Sequence, residues 1–146
     1  MSTTTTVTEI EALADRYGEA WNSQDLDAIV ALHAPNSIFH LHVPGSEPVQ
    51  GREAIRESFA GSLAQLPDIR FEPARLRAGA GFWVLESRMS GTVAAPIEVE
   101  GQRLDAPGTR VEVDFVDVIA VADGLLTRKD SYLDGLAFQQ QMEAAS

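Results

Sequence analysis

Residues 111–121 read VEVDFVDVIAV. Successive side chains of a strand point to opposite faces, so Val111, Val113, Phe115, Asp117, Ile119 and Val121 share one face. That row is apolar except for Asp117, while Glu112 and Asp114 fall on the opposite face, where solvent accounts for them. A half-buried strand is predicted over Arg110 to Ala122. The Asp123-Gly124 hairpin signal and a partner strand from Leu125 to Asp134 follow it. Working back, Ile69 to Ala78 and Phe82 to Val93 flank Gly79-Ala80-Gly81, a second hairpin signal. Residues 94–109 hold Pro96, Gly101, Pro107 and Gly108 and read as a long loop with at most a short extended piece. A short helix over 135–144 ends the pattern.

The first half carries helical spacing instead. Thr8 and Glu11 form a capping box, and Ile10, Leu13, Ala14, Tyr17 and Trp21 make one apolar stripe behind it. A second helix is predicted from Asp25, with Leu26, Ile29, Val30 and His33 on one face and Pro35 as its stop. A strand from Ser37 to Val43 runs to Pro44-Gly45. A third helix begins after Gly51 and carries Ile55, Phe59 and Leu63 inward. Residues 1–7 are expected as a disordered tail and residues 8–146 as a single domain. The order α-α-β-α-β-β-β-β with a short C-terminal helix implies an α+β fold, its helices on one face of a mostly antiparallel sheet.

At 146 residues and 45% hydrophobic content the chain can bury a proper core. No cysteine is present, which removes disulfides and thiol chemistry and fits a reducing compartment. The opening MSTTTTVTEI lacks the basic and apolar regions of a signal peptide, and no stretch reaches the roughly 18 apolar residues that span a bilayer. A cytoplasmic location is expected. The net charge of −11 argues against nucleic acid and anionic membranes as partners. Arginine heavily outnumbers lysine, and Lys129 is the only lysine.

Asp117 is the first candidate for chemistry. A carboxylate against hydrocarbon is costly unless paired, hydrogen-bonded or protonated, and a protonated acid can donate to a developing oxyanion. The alternative is structural, an acid at a strand edge or paired with an arginine next door. Tyr17, on the first helix's apolar stripe, is either a core tyrosine or a second oxyanion donor. His40 and His42 share one strand face, and Phe39, Leu41 and Val43 the other. With Glu47 the histidines spell H-x-H-x₄-E, similar to the first metal motif of cupins, but no later histidine completes a three-ligand site, so no metal is expected. The chain has no G-x-S-x-G, P-loop or dinucleotide fingerprint.

The segments DRYGEAWNSQDLDAIVALHAPNSIF, GREAIRESF, VDFVDVIAVADGLL and SYLD resemble the nuclear-transport-factor-two-like superfamily, within its SnoaL-like and ketosteroid-isomerase-like branch, over residues 8–142. The resemblance implies a cone-shaped curved sheet with three N-terminal helices over its concave face, and a homodimer joined through the outer face. It places Tyr17 and Asp117 at the oxyanion tyrosine and the protonated aspartic acid of ketosteroid isomerases. In those enzymes an apolar site keeps the acid neutral, so that it can donate a hydrogen bond. Leu41 falls where they keep a general-base aspartate, and His33 and Phe59 where they keep supporting tyrosines. His42, and less directly His40, are left as the candidate bases.

The expected function is a cofactor-independent enzyme of the isomerase, cyclase or lyase type that stabilises an enolate-like oxyanion on a hydrophobic carbonyl substrate. Trp21, His33, Phe39, Leu41, Phe59, Trp83, Val113 and Phe115 are expected to line its apolar pocket. A non-catalytic domain that binds a hydrophobic ligand or dimerises is the alternative. An epoxide-hydrolase-like site ranks lower, because the aligned positions read Ser87-Arg88-Met89 and Ser131, leaving Glu86 and Arg88 as the possible substitutes.

Overall fold

Thr6, not Thr8, opens the first helix. Its hydroxyl accepts from the Glu9 amide at 3.3 Å while the Glu9 carboxylate reaches back, so the capping box closes nearer the start of the chain than the sequence suggests. The protein is described by a computed structural model that covers residues 5–99 and 101–145. Of the expected tail, residues 1–4 lie outside the described residues. Thr5 is buried, because its carbonyl accepts from Gly81 at 2.9 Å and its hydroxyl from Gly124 at 3.2 Å. Both hairpin turns thus hold Thr5.

The helices are α1 (Val7–Asn22), α2 (Leu26–Ala31), α3 (Arg52–Gln65) and α4 (Gly135–Ala145). The strands are β1 (His33–Leu41), β2 (Val49–Gln50), β3 (Arg70–Gly79), β4 (Phe82–Thr92), β5 (Ile97–Val99), β6 (Gln102–Leu104), β7 (Arg110–Ala122) and β8 (Leu125–Leu133). Six strands form one curved sheet in the order β2-β1-β8-β7-β4-β3, antiparallel throughout except where β1 runs parallel to β8. This is the expected α+β architecture. Helix α1 packs on β3 and β4, α3 on β1 and β2, and α4 on β7. The row Val111, Val113, Phe115, Asp117, Ile119 and Val121 is buried beneath them, as alternation requires. No helix among the described residues is long and apolar enough to cross a membrane.

Three local expectations are corrected. His33 and Pro35 belong to β1, which begins four residues before the predicted Ser37, so the second helix is shorter than its apolar spacing suggested. The register against β8 slips between His33 and Ile38, so Pro35, which has no amide hydrogen, lies in a stretch with no ladder partner there. The loop at 94–109 contains the β5–β6 hairpin, and β2 is a further short strand at the sheet edge. At the β7–β8 turn Asp123 and Gly124 both have positive φ, 53° and 75°, as a two-residue hairpin of this kind demands.

Candidate active site

Under the helices lies an apolar cavity of about 480 Å³, walled by Trp21, Phe39, Leu41, Phe59, Phe71, Met89 and Phe115. Its exposed rim includes Glu98 of β5 and Leu136 of α4, and its floor is made by Lys129 and Ser131 of β8, both buried. The size suits a small organic molecule. Five of the residues expected as lining, Trp21, Phe39, Leu41, Phe59 and Phe115, do line it. His33, Trp83 and Val113 are buried but are not on its wall.

Lys129 is the cavity residue that the sequence pattern conceals. Strict alternation from the buried Leu126 would send Lys129 to the outer face. Opposite β8, however, Val121 pairs with Leu126 and Ala120 with Arg128, leaving Thr127 as an extra residue. That bulge reverses the facing of everything after it. Lys129, Ser131 and Leu133 turn inward, and Arg128, Asp130 and Tyr132 outward. Lys129, 3% exposed, holds its Nζ 4.8 Å from the centre of the Trp21 ring, 4.9 Å from that of Tyr17, 5.3 Å from that of Phe59 and 5.8 Å from that of Phe39. Burial among these rings pulls its ammonium below the usual lysine range, and the Asp117 charge opposes the fall.

Tyr17 and Asp117 lie behind this amine rather than on the cavity wall. Nζ donates to the Tyr17 hydroxyl at 3.3 Å and stands 3.8 Å from Asp117 Oδ1. Ser131, whose hydroxyl donates to Asp117 at 2.5 Å, has its proton committed there. Asp117 is therefore a paired acid, the outcome the sequence left open, with lysine in place of arginine. Tyr17 contacts His33 Nε2 at 2.9 Å, and His33 Nδ1 contacts Ser37 Oγ at 3.0 Å. Burial, then the charges of Lys129 and Arg52, push His33 down to about 3, so its ring is neutral. A proton on Nδ1 satisfies both contacts, with the Tyr17 hydroxyl donating to Nε2. Burial holds the Tyr17 phenol well above its usual range. The nearby Trp21 N–H eases that rise but makes no hydrogen bond, and is the one buried side-chain polar atom left without a partner among the described residues.

The two histidines expected as bases point away. His42 Nε2 bonds Asp130 at 2.8 Å and stacks on Tyr132 at 4.2 Å, and His40 contacts the Ser46 carbonyl at 3.3 Å. Neither lines the cavity, because the regular alternation of β1 from Ser37 onward gives that side to Phe39 and Leu41. His40, His42 and Asp130 bring ligand atoms within 4.8 Å of one another, a grouping able to approach a cation. Arg128 already holds both Asp130 oxygens and keeps that carboxyl below its usual range. On the same outer face Glu86 is bound by Arg75 and Arg77, and Arg88 by Asp114, so the epoxide-hydrolase substitutes are engaged in surface ion pairs.

The SnoaL-like domain family matches residues 14–129. This chain belongs to the SnoaL-like family. Its SnoaL-like fold recurs in a candidate polyketide cyclase from Xanthomonas campestris pv. campestris, 22% identical over 93% of this chain and 98% of that one, with a TM-score of 0.82. It recurs in a candidate SnoaL-like polyketide cyclase from Jannaschia sp. CCS1, 21% identical over 94% and 93%, with a TM-score of 0.78. A protein of ketosteroid-isomerase-like fold from Catenulispora acidiphila, solved with trimethylamine, is 14% identical over 82% and 83%, with a TM-score of 0.67. At these identities the likeness shows the fold alone. SnoaL-like membership points to a small-molecule family of the isomerase and cyclase type.

Proposed function

We propose that the protein is an enzyme that binds an apolar carbonyl compound in its cavity and stabilises an enolate-like oxyanion there, as an isomerase or cyclase does. The observation that carries this reading is the buried amine of Lys129 at the floor of a largely apolar cavity. A cation aimed at a developing oxyanion in such an apolar, buried place acts far more strongly than in water. Tyr17 and Asp117 then act through Lys129, one accepting its hydrogen bond and the other balancing its charge. Glu98, at the rim, is the carboxylate available to take a proton from the substrate.

Enolisation can be followed without the native substrate, as deuterium exchange next to the carbonyl of apolar aryl ketones, read by NMR. Lys129→Met is expected to lose about 10²–10³ in exchange rate, the usual loss for one oxyanion donor. Equal rates for wild type and variant would overturn the proposal. A non-catalytic binder is the second reading, favoured by Leu41 on the cavity wall and by both histidines lying outside it. It predicts tight binding of the same ketones with no exchange in wild type. A homodimer across the outer sheet face, where Phe82, Val118 and Tyr132 are exposed, belongs to the same proposal.

A further inference from the structure

We infer that Lys129 is a nucleophile whose amine condenses with the carbonyl carbon of an apolar aldehyde or ketone to form an imine. The inference rests on the cavity being a carbonyl site, and adds a covalent bond where the reading above needs only charge.

Lys129 carries the chain's only ε-amine, and lines the cavity where a ligand's carbonyl would reach it. Its Nζ makes a single hydrogen bond among the described residues, to Tyr17 at 3.3 Å, and stands 3.8 Å from Asp117, so one hydrogen bond and one longer charge contact are what a ligand has to compete with. The charged and titratable groups facing it are Asp117 from β7, Tyr17 from α1 and the neutral His33 behind Tyr17 from β1. Among them only Asp117 favours the ammonium, and burial outweighs it, so the neutral, nucleophilic amine is more accessible than in an exposed lysine.

The chemistry balances without an oxidant or reductant. The Nζ lone pair attacks the carbonyl carbon, a C–N bond forms, and the carbonyl π pair moves to oxygen. The C–O bond of the resulting carbinolamine then breaks. The oxygen leaves as water with the two hydrogens of the neutral amine, and a C=N bond remains. Tyr17, whose own proton goes to His33 and whose burial keeps it un-ionised, orients the nitrogen through the hydrogen bond it accepts. An apolar wall disfavours the water needed to reverse the step. Once protonated, the imine draws electrons from the neighbouring carbon and eases the same proton removal that enolisation requires.

The test uses the full chain with a lysine-free tag and two probes, an aryl 1,3-diketone and an apolar aryl aldehyde with cyanoborohydride. Intact mass should show one adduct, equal to the diketone less water, and peptide mapping should place it on Lys129. The aldehyde should give the reduced secondary amine at the same residue. Lys129→Arg and Lys129→Met should lose the adduct at residue 129, leaving only the N-terminal α-amine to react. Its rate should climb with pH and level off below the ordinary lysine range of about 10.4. No adduct at Lys129 with either probe overturns the inference. If adducts are absent while Lys129→Met still loses deuterium exchange, the charge-partner reading survives alone. If the adduct forms while exchange is indifferent to Lys129→Met, the imine stands and the enolisation reading falls.

Discussion

Lys129 and Asp117 share one buried spot, and neither is comfortable there alone. Their 3.8 Å separation in a low-dielectric surrounding makes each the answer to the other's desolvation. Asp117→Asn should therefore destabilise the fold toward the lower end of the ~3–5 kcal/mol typical of a broken buried pair, because Lys129 can shed its proton. The double variant with Lys129→Met should cost less than the two single losses added, by about 0.5–3 kcal/mol in urea unfolding. His33 gives a pH signature of its own. Its folded value, about 3, lies below the ordinary histidine value of about 6.5, so the unfolded chain binds its proton first. Its effect is absent above about pH 6.5. It removes about 1.4 kcal/mol per unit as the pH falls from there toward 3. Urea midpoints at pH about 7 and about 4.5 should fall steeply in wild type and more shallowly in His33→Gln.

At the scale of elements, alternation was reliable wherever a strand ran unbroken. It put Asp117 inward in β7, and Phe39 and Leu41 inward in the second half of β1, past its register slip. It failed in β8, because one extra residue at Thr127 inverts the facing of the strand's second half, and nothing in LLTRKDSYL marks the bulge. Lys129 was thus visible as the only lysine but not as a cavity residue. The start of α1 shows a smaller error of the same kind, since the run of threonines offers two capping boxes and only the Thr5 contacts to the hairpin turns select one. Thr6→Ala should cost about 1 kcal/mol, and Thr8→Ala little, in thermal or urea unfolding.

For the whole molecule, the outer face carries Phe82, Val118 and Tyr132 among paired charges, an arrangement suited to a second copy. Light scattering should give the mass of a dimer, and Val118→Arg should shift it toward the monomer, since a buried unpaired charge at an interface is costly. By itself the sequence determined the α+β class, the two long hairpins, the α1 and α3 core stripes and the inward place of Asp117. Each is set by local periodicity and turn chemistry within a few residues. Only the tertiary structure decided what faces Asp117, which groups reach the cavity, and that both histidines lie outside it. Those outcomes hang on cross-strand register, and register is fixed by partners distant in sequence.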